Sequence, residues 1–272
     1  PGVVHMRHTH LPEHKYVKGQ PETGAELADD LERIAMNFGS ENIAACIVEP
    51  ISGSTGTLVP PKGYLNRLRE ICDKHDILLI FDEVITGWGR TGSSFAAKEY
   101  GVTPDLMTMA KATTNGIVPM GVVAVKEEIY DTIVNASPDG VIELFHGYTY
   151  SGIPVAVAAA LAVQDIFEKE DIFNRAKNLS SYFLDGLFSL KDIDCVENIR
   201  GYGLMGGIDI KKTDRPGKAG FQAYKKCYEI GVNFKATGDC LIIAPPFVCE
   251  KKHIDEIIEK LRKGITAYSK TR

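Results

Sequence analysis

An aspartate and a lysine, Asp82 and Lys111, stand 29 positions apart at the ends of two short apolar runs. Ile77 to Phe81 are consecutive apolar residues that lead straight into Asp82 and Glu83, the pattern of a buried parallel strand whose carboxyl end presents acids at a crevice. A second run, Asp105 to Ala110, delivers Lys111. In an open α/β sheet the carboxyl ends of separate strands meet at one crevice, so the acid and the amine can share a site. A lysine there can form a Schiff base with a cofactor aldehyde and then move a proton between the two carbons of the substrate imine. A carboxylate beside a pyridine nitrogen holds that nitrogen protonated, because the charged form is favoured. Together these are the needs of pyridoxal 5'-phosphate chemistry, in which a cationic ring draws electrons from a carbanion.

Each half of the pair also has an ordinary reading. A lysine directly after an apolar strand is commonly a solvated end residue; Asp82 upstream and Thr149 downstream are what set Lys111 apart. The string ILLIFDE has the form of a Walker B strand, but no GxxxxGK[ST] is present to hold nucleotide phosphates. Gly87, Gly89 and Gly92 spell GxGxxG. A dinucleotide fingerprint should instead open the fold and be followed by an acid ~20 residues on, whereas here the acids come first.

The rest of the composition narrows the class. With 272 residues, 44% hydrophobic and 25% charged, the chain has the makings of one large or two modest soluble domains. A net charge of −5 gives no electrostatic reason to expect nucleic acid or a membrane surface. No apolar run approaches the ~20 residues of a bilayer span, and the opening PGVVHMRHTH does not read as a signal peptide. The six cysteines form no CxxC pair and have mostly apolar neighbours, which suits buried thiols in the cytoplasm. His5, His8, His10 and His14 match no ligand spacing, so no metal is expected.

Around this pair the elements follow in order. Thr23 and Glu26 read as a capping box opening a helix with Leu27, Leu31, Ile34 and Phe38 on one face. Ile43 to Glu49 reads as a strand, a Gly/Pro/Ser loop follows, and Tyr64 to Cys72 carries a helical stripe back to the strand at Ile77. Strand, helix, strand is the mark of a parallel βαβ unit. Gly121 to Val125 reads as a further strand, forming a hairpin-like unit with Lys111 at its lip, and Val155 to Phe167 as an apolar helix. Beyond about Asp171 the pattern shifts to mixed strands, with a turn at Gly201, and amphipathic helices, ending on the stripe Ile254, Ile257, Ile258, Leu261 and Ile265.

Three strings in sequence, DEVITGWGRTG (Asp82 to Gly92), AKATTNGIVPMG (Ala110 to Gly121) and HGYTYSGIP (His146 to Pro154), resemble the class III, or omega, aminotransferase family of the omega-amino acid:pyruvate type. The likeness runs over essentially the whole chain, but family members begin well upstream with a phosphate-cradling turn and a ring-stacking aromatic. The chain therefore resembles a carboxyl-terminal portion. The resemblance implies a fold-type I transferase: a mostly parallel large-domain sheet, incomplete at its amino-terminal side and covering residues 1–170, with a small α+β domain over residues 171–272. It implies pyridoxal 5'-phosphate as cofactor and transfer of an amino group from an omega-amino acid or amine to a keto acid such as pyruvate. By the same resemblance Lys111 carries the Schiff base, Asp82 pairs with the ring nitrogen and Val84 packs on the ring. Thr149 would hold the phosphate of the neighbouring subunit in a homodimer with shared active sites. Val84 as a plain core residue, Arg90 as a structural ion pair or carbonyl clamp, and Thr149 as the cap of the next helix are the structural alternatives.

The chain departs from the family pattern at Lys235, where many members place an arginine that grips the substrate carboxylate. A lysine supplies a point charge but not two parallel hydrogen bonds. Lys235 and Glu49, which matches an acid that helps reset the site between substrates, are carried as substrate-binding candidates; a solvated lysine is the alternative for Lys235. Ile153 stands where histidine is frequent. An aminomutase or decarboxylating transaminase would need the same Lys111 and Asp82, and a nucleotide-binding domain is the more distant alternative.

Overall fold

The computed structural model describes residues 2–142, 144 and 148–271, and it builds two four-stranded sheets. The first sheet orders β1 (Ala45–Val48), β2 (Leu78–Asp82), β3 (Leu106–Met109) and β4 (Val122–Val125) as they occur in the chain. β1 with β2 and β2 with β3 are parallel, while β3 and β4 close antiparallel. The βαβ unit and the hairpin-like pair beside Lys111 are thus both present. In register, Asp82 lies opposite Thr108, three residues before Lys111.

Helices α1 (Asp29–Phe38) and α2 (Tyr64–His75) cover this sheet. In α2, Leu65, Leu68, Ile71 and Cys72 recur at helical spacing and bury against Leu79 and Phe81. The helix stops where Asp76 turns left-handed at φ 55° and its N–H closes on the Cys72 carbonyl. Lys74 and His75 occupy the last turn, where positive charge suits the helix dipole, and both reach Glu32 of α1.

The entry into α1 differs from the capping-box expectation. A 3-10 turn, Ala25–Ala28, precedes the helix, and no side chain caps it. The Thr23 hydroxyl is drawn aside to within 3.4 Å of His14 Nε2, which removes it from the capping position. Phe38, expected on the buried face, is 55% exposed in the last turn.

After β3 come α4 (Glu127–Ala136) and α5 (Pro154–Lys169), with the short α3 (Ala96–Tyr100) between β2 and β3. The second sheet is antiparallel throughout, with β5 (Val196–Tyr202), β6 (Met205–Ile210), β7 (Lys235–Thr237) and β8 (Cys240–Ile243) in the order β5-β6-β8-β7. Its core takes Phe183 and Leu187 from α6 (Ile172–Phe188), Ala219, Ala223 and Cys227 from α7 (Lys218–Glu229), and Ile254, Leu261 and Ile265 from α8 (Lys251–Ser269). The β5–β6 turn falls at Gly203, at φ 57°, rather than at Gly201. Gly201 instead pairs with Gly206 inside the ladder, where an added Cβ would come within 2.7 Å of Leu184.

The two sheets are stitched together by chain as well as by packing. Near the amino terminus, Tyr16 N–H donates to the Asn198 side chain at 2.7 Å and Gly19 N–H to the Gly201 carbonyl at 3.0 Å. A smaller core of Ile51, Val59 and Met205, joined by Ile85, Tyr100 and Tyr202, fills the junction.

Candidate active site

The carboxyl ends of β2 and β3 open onto a cleft of about 1020 Å³ between the two sheets. Val84 and Lys111 line it, as do the loop residues Gly53 and Ser54 and, on the far side, Phe234 and Lys235. Lys111 leaves β3 through a single 3-10 turn, Lys111–Thr113, and holds φ at 45°, a conformation rare for a residue with a Cβ. Its side chain is exposed and, among the described residues, has no hydrogen-bond or ion-pair partner. A strained backbone that presents an unpaired amine to a cleft is the kind of feature a functional site maintains.

Asp82 occupies the last position of β2 and is half-buried. One of its oxygens accepts from the Val84 N–H at 3.0 Å, which fixes the carboxylate beside the Val84 side chain. Asp82 itself is not among the residues lining the cleft, whereas Val84 is. Its neighbour Glu83 has a different task. That side chain is fully buried, accepts from Thr86 Oγ1 and from the Ala96 and Ala97 N–H groups, and so caps α3. Burial pushes the Glu83 carboxyl above the ordinary range, opposed by those three hydrogen bonds. The two adjacent acids of the strand end thus differ: Asp82 is half-buried and bonded to the Val84 N–H, while Glu83 is buried in the scaffold.

The glycine-rich turn after β2 is pinned from several sides. Trp88, at φ 59°, donates its indole N–H to Thr113 Oγ1 at 3.0 Å and stacks on Phe167 of α5. Because Thr113 belongs to the turn that begins at Lys111, the only tryptophan of the chain ties the acid's loop to the lysine's. This contact escaped sequence reasoning; a tryptophan among three glycines was its only signal. Arg90 donates to the Leu204 and Pro245 carbonyls at 3.0 and 2.7 Å and lies over the Phe247 ring. Burial lowers its pKa to about 10, and it acts as a carbonyl clamp with no carboxylate partner among the described residues.

The remaining candidates lie around this centre. Glu49 is half-buried, and its Oε2 accepts from the Gly53 N–H at 3.0 Å, shaping the loop that lines the cleft without lining it itself. Lys235 is exposed at the start of β7 and faces the cleft. Thr149 is exposed in the turn before α5 and outside the cleft lining. It does not cap that helix, whose N-cap is Ile153 with no side-chain bond. His146 and Gly147 of the same string lie outside the described residues. No cluster of His, Cys, Asp and Glu suited to a metal occurs among the described residues.

A lysine and an aspartate just at or past the ends of adjacent parallel strands, with the lysine in the wall of a cleft beside an antiparallel lobe, fit a fold-type I transferase. A family model, "Aminotransferase class-III", matches residues 1–265. An omega-aminotransferase of Caulobacter vibrioides is 51% identical over 96% of this chain and 60% of its own length. A beta-alanine–pyruvate aminotransferase of Pseudomonas aeruginosa is 45% identical over 97% of the chain and 59% of its own length. Among solved structures, an (S)-enantioselective omega-transaminase from Thermomicrobium roseum superposes with a TM-score of 0.83 at 38% identity, over 90% of this chain and 55% of that one. The chain belongs to the class-III aminotransferase family. It spans about 60% of the length of the curated relatives it matches.

Proposed function

We propose that the protein containing this chain is a pyridoxal 5'-phosphate-dependent aminotransferase that moves an amino group from an omega-amino acid or amine to a keto acid such as pyruvate. The observation that carries the reading is Lys111: an amine with no partner among the described residues, on a left-handed residue in the cleft wall, one strand away from Asp82. The names of the relatives point to the same donors and acceptor.

The residues present fit such a cofactor. The cleft has room for it, the Lys111 amine can engage its aldehyde, and Val84, whose N–H is bonded to Asp82, offers an apolar surface to a ring. When bound, the cofactor supplies an aldehyde that condenses with amines and a ring that draws electrons from the substrate carbon. Lys111 Nζ would take up and release the proton that leaves the substrate carbon. Asp82 would favour the protonated form of a ring nitrogen. Val84 would pack on the ring, and Lys235 would attract the substrate carboxylate as a point charge. Glu49 sets the loop at Gly53 that faces the substrate.

Thr149, exposed and away from this cleft, is assigned to the phosphate bound by the partner of a homodimer. Residues 1–170 are assigned to the cofactor domain and 171–272 to the small domain. Among the described residues no helix is long and apolar enough to cross a membrane, and the six cysteines, all free and five of them buried, fit a cytoplasmic setting.

The test is a visible spectrum of the full-length protein mixed with pyridoxal phosphate, before and after gel filtration, beside Lys111→Ala. A retained band that vanishes in the variant supports the reading. Binding of equal strength without Lys111, or no binding at all, defeats it.

A further inference from the structure

The loop that supplies Gly53 and Ser54 to the cleft is held from the opposite sheet. Ser52 and Leu58 exchange backbone hydrogen bonds at 3.1 and 2.9 Å, so residues 53–57 form a closed apex. Inside it the Gly53 carbonyl accepts from the Gly56 and Thr57 N–H groups, and Thr57 is fully buried at φ 56°. The apex rests on β6, where a Cβ on Gly207 would stand 2.5 Å from the Gly56 carbonyl oxygen.

That same oxygen accepts from Arg200 Nε at 2.7 Å. The other side of the Arg200 fork is paired with both oxygens of Asp209 on β6, at 2.5 and 2.9 Å, and touches Cys240 Sγ at 3.3 Å. The Arg200 side chain is only 7% exposed. One planar group therefore spans a carboxylate of the second sheet and a single backbone oxygen of a loop belonging to the first, which a lysine cannot reproduce.

We propose that Arg200 is a positioning residue for substrate. With Asp209 it fixes the Gly56 carbonyl, and through the closed apex it sets where Gly53 and Ser54 stand in the cleft wall. Small displacements of groups that orient a substrate have large kinetic effects, although Arg200 itself is distant from Lys111 in the chain and touches no reacting atom. The kinetic part of this proposal rests on the aminotransferase reading; the structural part does not.

The experiment compares full-length protein with Arg200→Lys and with Asp209→Asn, a near-isosteric change that keeps the fold should the first variant fail to fold. Hydrogen exchange followed by mass spectrometry reads residues 51–59 against the core strands β2 and β5. Steady-state kinetics read KM and kcat for the amino donor at saturating cofactor. The expected result is exchange about tenfold faster confined to residues 51–59, with KM raised about tenfold and kcat within about threefold. Unchanged exchange in that loop, exchange that rises equally throughout the core, or an unchanged KM beside a loosened loop overturns the proposal. If the unaltered protein transfers no amino group, the functional reading fails by itself, and the exchange comparison still decides the clamp.

Discussion

At Lys111 the backbone conformation and the chemistry point the same way. A left-handed lysine costs about 1–2 kcal/mol relative to an ordinary conformation, and nothing in the packing of this exposed side chain requires it. Lys111→Ala should therefore leave thermal stability unchanged while lowering amino transfer by the full-length protein at least about 10³-fold, measured as alanine formed from pyruvate. Sequence alone singled out Lys111 and Asp82 because strand-end chemistry is local and periodic. The choice of Asp82 over Glu83 came from the family resemblance, and the capping task of Glu83 was not foreseen, since it depends on where α3 brings its N–H groups. A second residue-scale expectation concerns Asp30, whose side chain is 2% exposed and bonded by Arg7 and Arg33. The hydrogen bond from Arg7 is the largest influence holding its pKa down at about 2, below the ordinary 3.8. Because the folded value is depressed, this contribution is present above pH 3.8 and is lost as pH falls through about 2. Arg7→Ala should raise the folded value and move the acid-unfolding midpoint to higher pH, as followed by circular dichroism.

Helices and strands were legible wherever a stripe of apolar residues recurred at one period, as in α2, α8 and β2. Their ends were less so. The Thr23 capping signal failed because a neighbouring histidine claimed the hydroxyl, and the Gly201 turn signal failed because that glycine serves close packing with Leu184 instead. Close approach also governs the α7–α8 contact. A Cβ on Gly264 would lie 2.5 Å from Cys227 Sγ and 2.8 Å from the Cys227 Cα. Since backbone as well as side chain must yield, Gly264→Ala should destabilise the protein by about 1–3 kcal/mol in urea titration.

Over the whole molecule, the joining of the two sheets is what the sequence left unwritten. Arg90, Arg200 and the amino-terminal segment all cross between them, and each crossing links residues more than a hundred positions apart, a separation no local pattern encodes. Trp88 sits at this junction, stacked on Phe167, edge-on to Phe95 and bonded to Thr113. If the clamps make the two sheets one cooperative unit, urea unfolding of this chain should show a single transition, with Trp88 fluorescence and far-ultraviolet circular dichroism coinciding. Two separated transitions would mean that the sheets unfold independently.

The glycine contacts at the junction bear on how this architecture can be recombined. The Gly56 carbonyl lies against Gly207, and the Arg90 carbonyl lies against Gly203, in both places too close for a Cβ on the second glycine. A carboxyl-terminal lobe transplanted from a relative will seat on this sheet only if it brings glycine to both positions and an arginine to the place of Arg200. Exchange of lobes among relatives is thus limited to donors that share this lock, however well their own cores are packed.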